Sequence, residues 1–232
     1  MIRYLFLLLI TVFSPCISSA ARYSYLFTHT ATGARTLISI DLNDITHAPA
    51  TAIVNAANQT LIGSAGVAYA IQQAAGPQLL SYIRALPITA TGIRCEVGQS
   101  IVTPSFLLSD RAIQTIIHTV GPDCRVAEQA AHAEQLLRSA YMSALQCCAQ
   151  EGLKSIAFPA ISTGIFGYPI DQACTIAIES VLQWLIEHPG RVSDVYFSIF
   201  ATNVPAYQAA LEQAVKQAQG AVNYRFEHVR VS

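Results

Sequence analysis

Two asparagines, Asn55 and Asn58, flank a pair of alanines just after a short apolar run, Ile53-Val54. A loop of small residues follows, Gly63-Ser64-Ala65-Gly66, and behind it Val67, Ala70, Ile71 and Ala74 recur at the spacing of one helix face. The order is strand end, polar bend, small-residue loop, helix start. Such a loop lets backbone approach a ligand closely, and the helix it opens offers N–H groups without intrahelical partners at the positive end of its dipole. The chemistry on offer is the holding of an anion by amides. The same stretch also reads as an ordinary strand-to-helix turn, with Asn55 and Asn58 closing Asx-type bends. A second small-residue loop, Ser162-Thr163-Gly164-Ile165-Phe166-Gly167-Tyr168, stands between the apolar run "SIAFPAI" and another helical pattern. Two such loops facing each other at the carboxyl ends of strands could hold a diphosphate between them.

Neither loop carries the Lys-Ser/Thr pair of a phosphate-binding P-loop, and neither is a GxGxxG dinucleotide fingerprint. A kinase and an ordinary NAD dehydrogenase are therefore disfavoured. Charge narrows the field again. There are 13 basic and 14 acidic residues and no Lys/Arg run, which argues against a nucleic-acid partner, because that binding needs clustered positive charge. Backbone amides do not enter a charge count, so a small anionic ligand stays open. Beyond residue 20 the cysteines are Cys95, Cys124, Cys147, Cys148 and Cys174, whose spacings fit no zinc site. No metal and no cofactor is expected. These thiols read as small buried hydrophobes, with a Cys95–Cys124 disulfide left open.

The elements that must hold the two loops read off in order. Arg3 and the apolar run Leu5 to Phe13 have the make-up of a secretory signal, and Ser18-Ser19-Ala20 gives a small–x–small cleavage site. The run falls short of the ~20 residues a spanning helix needs. Residues 1–20 are read as a cleaved signal, placing the protein outside the cytoplasm, secreted or periplasmic; the alternative is an anchor over residues 4–19. "ARYSYLF" and "TLISIDLNDIT" suit strands, the second with Ile38, Ile40 and Leu42 on one face. Two strands are expected in "GQSIVTPS" and "AIQTIIHTVGP", and one amphipathic helix from Glu128 to Glu151. "SIAFPAI" is a strand covered on both faces, Pro169 opens the next helix, and "DVYFSIFA" and "AYQAALEQAVKQAQ" are the last strong strand and helix. The tail 221–232 is either an extra edge strand or disordered. With 53% hydrophobic residues there is material for one large core. The whole predicts a three-layer α/β/α sandwich with a mixed, largely parallel sheet over residues 21–220.

Five segments in register, "NDIT", "AIVNAAN", "GVAYAIQQAAG", "IIHTVGP" and "AFPAISTGIFGYP", resemble the macro domain family, whose members bind ADP-ribose and in many cases hydrolyse ADP-ribosyl linkages. The resemblance implies that Asp44 accepts a hydrogen bond from the adenine amino group and that Ile45 offers its backbone. It places Asn58 beside the distal ribose as the residue that orients the attacked carbon, with Gly66 and Val67 at the first loop. Ser162, Thr163, Gly164, Ile165 and Phe166 form the second, diphosphate-binding loop, with Phe166 near the distal ribose and Phe200 against the adenine. From the residues alone, Asp44 also reads as a helix cap, Asn55 as an Asx bend, Phe166 and Phe200 as core, and His118 as structural. The chain departs from the family at Ala68, where one large subgroup has an aspartate, and at Ser64-Ala65, which interrupt the usual glycine run. Asn43 replaces a glycine before Asp44. Two functions follow: a hydrolase of mono-ADP-ribosyl linkages on proteins or of small ADP-ribose esters, or a reader that binds ADP-ribose without turning it over. Either acts as a monomer, with ADP-ribose or an ADP-ribosylated protein as partner.

Overall fold

The computed structural model describes residues 21–218 and 221–229. Residues 1–20, on which the export signal was read, lie outside them. The chain runs through β1 (Ala21–His29), β2 (Arg35–Asp41), β3 (Ala52–Ala57), α1 (Gly66–Ala75), α2 (Pro77–Ala85), β4 (Ser100–Pro104) and β5 (Thr115–Val120). It continues with α3 (Ala127–Ala131), α4 (Ala133–Gln150), β6 (Ser155–Phe158), α5 (Ile170–Glu187), β7 (Asp194–Ser198), α6 (Val204–Gln217) and β8 (Tyr224–Val229). All eight strands form one sheet in the order β4-β5-β3-β6-β7-β2-β1-β8. The five inner strands β5, β3, β6, β7 and β2 are mutually parallel. β4 on one side, and β1 and β8 on the other, run antiparallel to their neighbours.

Successive side chains of a strand point to opposite faces, and the core divides accordingly. Ile53 and Ile116 pack beneath α1 and α2 with Ile71, Leu79 and Ile83. Val54 and Ile117 pack on the other face, in the cluster that holds Leu137 and Tyr141 of α4, Ile178 of α5 and Tyr207 of α6. This is the three-layer α/β/α architecture with a mixed, largely parallel sheet.

Several local expectations are corrected. The helix expected over Glu128–Glu151 is broken at His132, which leaves helical geometry at φ −122, ψ 18; α3 buries no residue, so it does not extend the buried stripe of α4. The strand in "SIAFPAI" stops at Phe158, because Pro159 brings no N–H to the ladder. Pro169 is the cap of α5 and not its first residue. The tail forms a strand: β8 pairs along β1, with Phe226 opposite Phe27. Cys95 and Cys124 are free thiols. Cys95 belongs to the cluster under α1 and α2, whereas Cys124 packs against the cluster that holds α4, α5 and α6.

Asn55 is also corrected. It closes no turn but lies fully buried in β3, opposite His118 of β5. Its Nδ2 donates to His118 Nδ1 at 2.9 Å, and His118 Nε2 sits 2.9 Å from Thr103 Oγ1. Because the amide donates to Nδ1, the imidazole is neutral with its proton on Nε2. His118 is thus structural and remote from solvent. Burial pushes its pKa down to about 4 from the ordinary 6.5. The unfolded chain takes up this proton as pH falls through 6.5 while the folded chain refuses it until about 4. Stability is therefore complete above 6.5 and drains away between those two values, by up to about 3 kcal/mol from this group. Denaturant titration at several pH values should show that slope, and a His118→Asn variant, less stable at neutral pH, should lose much of it.

Candidate active site

Since β2, β3, β5, β6 and β7 run parallel, the segments that leave their carboxyl ends emerge at one edge of the sheet. Asp44 and Ile45 follow β2, Asn58 to Val67 follow β3, Ser162 to Phe166 follow β6, and Phe200 follows β7. The fold brings every site residue expected from the sequence to that edge. The stretch after β5, Gly121 to Arg125, joins them.

The first loop leaves β3 through a turn in which Leu61 N–H donates to Asn58 O at 2.9 Å. Leu61 takes φ 63 and is buried. The Asn58 carboxamide is engaged within this turn: Oδ1 accepts from Thr60 N at 3.1 Å and from Thr60 Oγ1 at 2.8 Å, and Nδ2 donates to Ile62 O at 3.0 Å. The bend assigned to Asn55 by its sequence position is thus made by Asn58. Further on, Gly63 rests on α1. A Cβ there would lie 2.4 Å from Ala68 Cβ, and Ala68 is only 6% exposed. Gln72, with its amide turned to match, donates to Gly63 O at 2.8 Å and accepts from Gly63 N at 3.0 Å. Ser64 and Ala65 are exposed. Gly66 opens α1 with φ 60, and the N-terminus of α1 has no side-chain cap. Its first-turn N–H groups point out of the helix end with the positive dipole behind them.

The second loop is drawn tight at its base. Tyr168 N donates to Ser162 O at 2.9 Å and Gly167 N to Gly164 O at 3.0 Å. The N–H groups of Gly164, Ile165 and Phe166 donate to nothing among the described residues. Ser162 holds φ 66 and buries an Oγ that has no partner. Beside it the chain after β5 passes so close that a Cβ on Gly121 would stand 2.2 Å from Ser162 Oγ and force it to shift. Cys124 N donates to Phe166 O at 2.8 Å and so ties the two segments together.

At the flanks, Asp44 is exposed and caps the turn Ile45–His47, with Oδ1 accepting from Thr46 N at 2.9 Å. Phe200 is 76% exposed at the start of the turn Ala201–Asn203, so the core reading fails for it. Phe166 is half-buried beneath the Arg125 guanidinium, whose carbon is 5.8 Å from the ring centroid. Asp123 grips that guanidinium at 2.8 and 2.6 Å. The hydrogen bond to Arg125 holds the Asp123 carboxyl below its usual range, and Asp123 raises Arg125 in turn. Thr60, Gln72, Gly121 and Arg125 were not anticipated. Only Thr60 left a signal, a hydroxyl two residues past an asparagine, which suits a local side-chain bond. A cavity of about 590 Å³ opens behind the second loop, between α4 and the start of α5, lined by Cys124, His132, Arg138 and Tyr168 among others. It contains none of the expected site residues.

The arrangement can bind an anion between two rows of amide N–H groups, with a carboxamide at one end and an exposed aromatic ring at the other. A family model described as "Macro domain" matches residues 54–177. An O-acetyl-ADP-ribose deacetylase from Cronobacter sakazakii is 40% identical over 181 residues, covering 78% of this chain and 96% of the relative. ADP-ribose glycohydrolase MACROD1 of Mus musculus is 38% identical over 163 residues, 70% of this chain and 47% of that protein. Among solved structures, the Oceanobacillus iheyensis macrodomain with ADP superposes with a TM-score of 0.73 at 33% identity, covering 85% of this chain and all of its own.

The contact between Gly121 and Ser162 gives a direct test of the second loop. Gly121→Ala should cost about 1–3 kcal/mol by overpacking, read in a denaturant melt. Gly164→Ala, whose added Cβ meets nothing within 4 Å, should melt as the parent does.

Proposed function

The chain belongs to the macro domain family, and on that premise we propose that it binds ADP-ribose along the carboxyl edge of the sheet and hydrolyses a bond at the distal ribose. The observation that carries this reading is the pair of loops that leave the neighbouring parallel strands β3 and β6, with the open N-terminus of α1 on one and the N–H groups of Gly164, Ile165 and Phe166, without acceptors among the described residues, on the other. Amide donors of this kind suit a diphosphate. Phe200 offers a bare ring for the adenine and Asp44 a carboxylate for its amino group. Asn58 and Phe166 then stand at the distal ribose. Hydrolysis adds water across the linkage: an ester would yield a free acid and ADP-ribose, and a protein linkage would yield the unmodified side chain and ADP-ribose. The names of the relatives, a deacetylase and a glycohydrolase, support turnover. We extend the proposal to mono-ADP-ribosyl linkages on proteins, with the protein acting as a monomer.

A second reading, a reader without turnover, is favoured by one feature. Position 68 carries no carboxylate, and Ala68 is the floor under Gly63, so no side chain of α1 activates water from there. In the hydrolase reading the ligand's own diphosphate takes that part. We also propose that residues 1–20 direct export and are removed after Ala20. Arg3, the run Leu5–Phe13 and Ser18-Ser19-Ala20 support this. Recovery of the protein only from the cytoplasm with its N-terminus intact would overturn it.

Calorimetric titration of residues 21–232 is expected to show micromolar affinity for ADP-ribose, about −8 kcal/mol. ADP, lacking the distal ribose, should bind more weakly. Phe200→Ala should weaken both ligands about tenfold, consistent with roughly 1–3 kcal/mol for base–aromatic stacking. No heat with either ligand would reject the site. Release of ADP-ribose from an O-acyl ester or from a mono-ADP-ribosylated protein separates hydrolase from reader.

A further inference from the structure

Asn58 is held in a closed ring of hydrogen bonds that limits what it can offer a ligand. Its Oδ1 receives two donors, Thr60 N at 3.1 Å and Thr60 Oγ1 at 2.8 Å. Thr60 Oγ1 in turn accepts from Ile62 N at 3.3 Å, and Asn58 Nδ2 donates to Ile62 O at 3.0 Å. The orientation of the amide is not free to reverse. Thr60 N–H is a fixed donor, so the atom that faces it is the oxygen. A carboxamide has two oxygen lone pairs and two N–H hydrogens. In this ring both lone pairs and one hydrogen are taken. One N–H remains.

The ring is braced from outside. Arg94 Nη1 donates to Thr60 O at 3.1 Å, and Arg94 N and Cys95 N both donate to Gln59 O, at 2.8 and 3.2 Å. The stretch before β4 thus clamps the turn that carries Asn58, and buried Leu61 anchors it from within.

We propose that Thr60 is a positioning residue of this site: its hydroxyl closes the Asn58 carbonyl oxygen, so that Asn58 acts as a single-hydrogen donor toward the distal ribose. This rests on the ADP-ribose reading given above. Asn58 accepts no proton from water and no hydrogen bond from a ribose hydroxyl. It gives one hydrogen bond in a fixed direction, and any proton released by the attacking water leaves by another route. The hydroxyl, and not the bulk of residue 60, is what matters.

Thr60→Val keeps the shape and removes the hydroxyl; Thr60→Ser restores it. Relative to the parent, Thr60→Val is expected to lower the ratio of ADP-ribose to ADP affinity roughly tenfold while ADP binding stays the same, and any turnover should fall roughly 10- to 100-fold through kcat. Thr60→Ser should recover both. A readout without ligand runs alongside: in nitrogen-labelled protein, the Asn58 side-chain amide hydrogens, identified by their loss in Asn58→Ala, should exchange with water faster in Thr60→Val. The proposal is overturned if Thr60→Val keeps the parent's affinity ratio and amide exchange, if ADP affinity falls as much as ADP-ribose affinity, or if Thr60→Ser fails to rescue. A parent that binds neither ligand would sink the ADP-ribose reading instead, and the amide exchange would still decide the role of Thr60.

Discussion

The parallel run of β5, β3, β6, β7 and β2 is the constraint from which the site follows, because parallel strands deliver all their outgoing loops to the same edge. There the chain has left its ladders and entered helices, so backbone N–H groups are in surplus. The sheet makes the donors converge, and close packing keeps them apart from one another. Gly63 on Ala68 and Gly121 on Ser162 are the two points where a side chain would prise the loops off their supports. Both glycines serve close approach and not backbone freedom.

Among the described residues, the edge that carries the two loops presents no field of positive charge to an anion. Beside Phe166, Arg125 lies over the ring with its charge paired to Asp123. The other charged pairs, Arg138 with Glu134 and Glu179, and Arg225 with Glu227, are exposed or half-exposed and contribute little. A site of backbone dipoles is fixed in direction and needs little reorganisation when the ligand arrives, an advantage for holding charge in one geometry. It is also silent in a charge count.

How far the sequence spoke for this structure depended on the range of the forces involved. Periodicity placed α1, α5 and α6 and the inner strands, since burial of one face is written in neighbouring residues. The two loops are visible as small residues between such elements, and Asp44, Phe166 and Phe200 follow the carboxyl ends of β2, β6 and β7. The two asparagines were harder. Asn55 and Asn58 look alike in a string, and only the pairing of β3 with β5 shows that Asn55 meets His118 while Asn58 has passed the last pairing. The break at His132 left no Gly or Pro as a marker. Cys95 and Cys124 look free to pair in the sequence, but in the structure they pack against different clusters and both are free thiols. The clamp of Arg94 on Thr60 joins residues that no short-range pattern connects.

The pairing of β8 has one more consequence. β8 completes the sheet by zipping along β1 through most of its length, with Tyr25, Phe27, Tyr224 and Phe226 making edge-to-face and stacked ring contacts across the seam. The first strand of the described residues is therefore sealed by the last, and the seam joins segments far apart in sequence. Hairpin pairing of β1 with β2 is local, whereas pairing of β1 with β8 closes a loop over most of the described residues, which is entropically costly and slow. β1 and β8 thereby form an antiparallel margin of the sheet that lies outside the five parallel strands, joined to them only through β2.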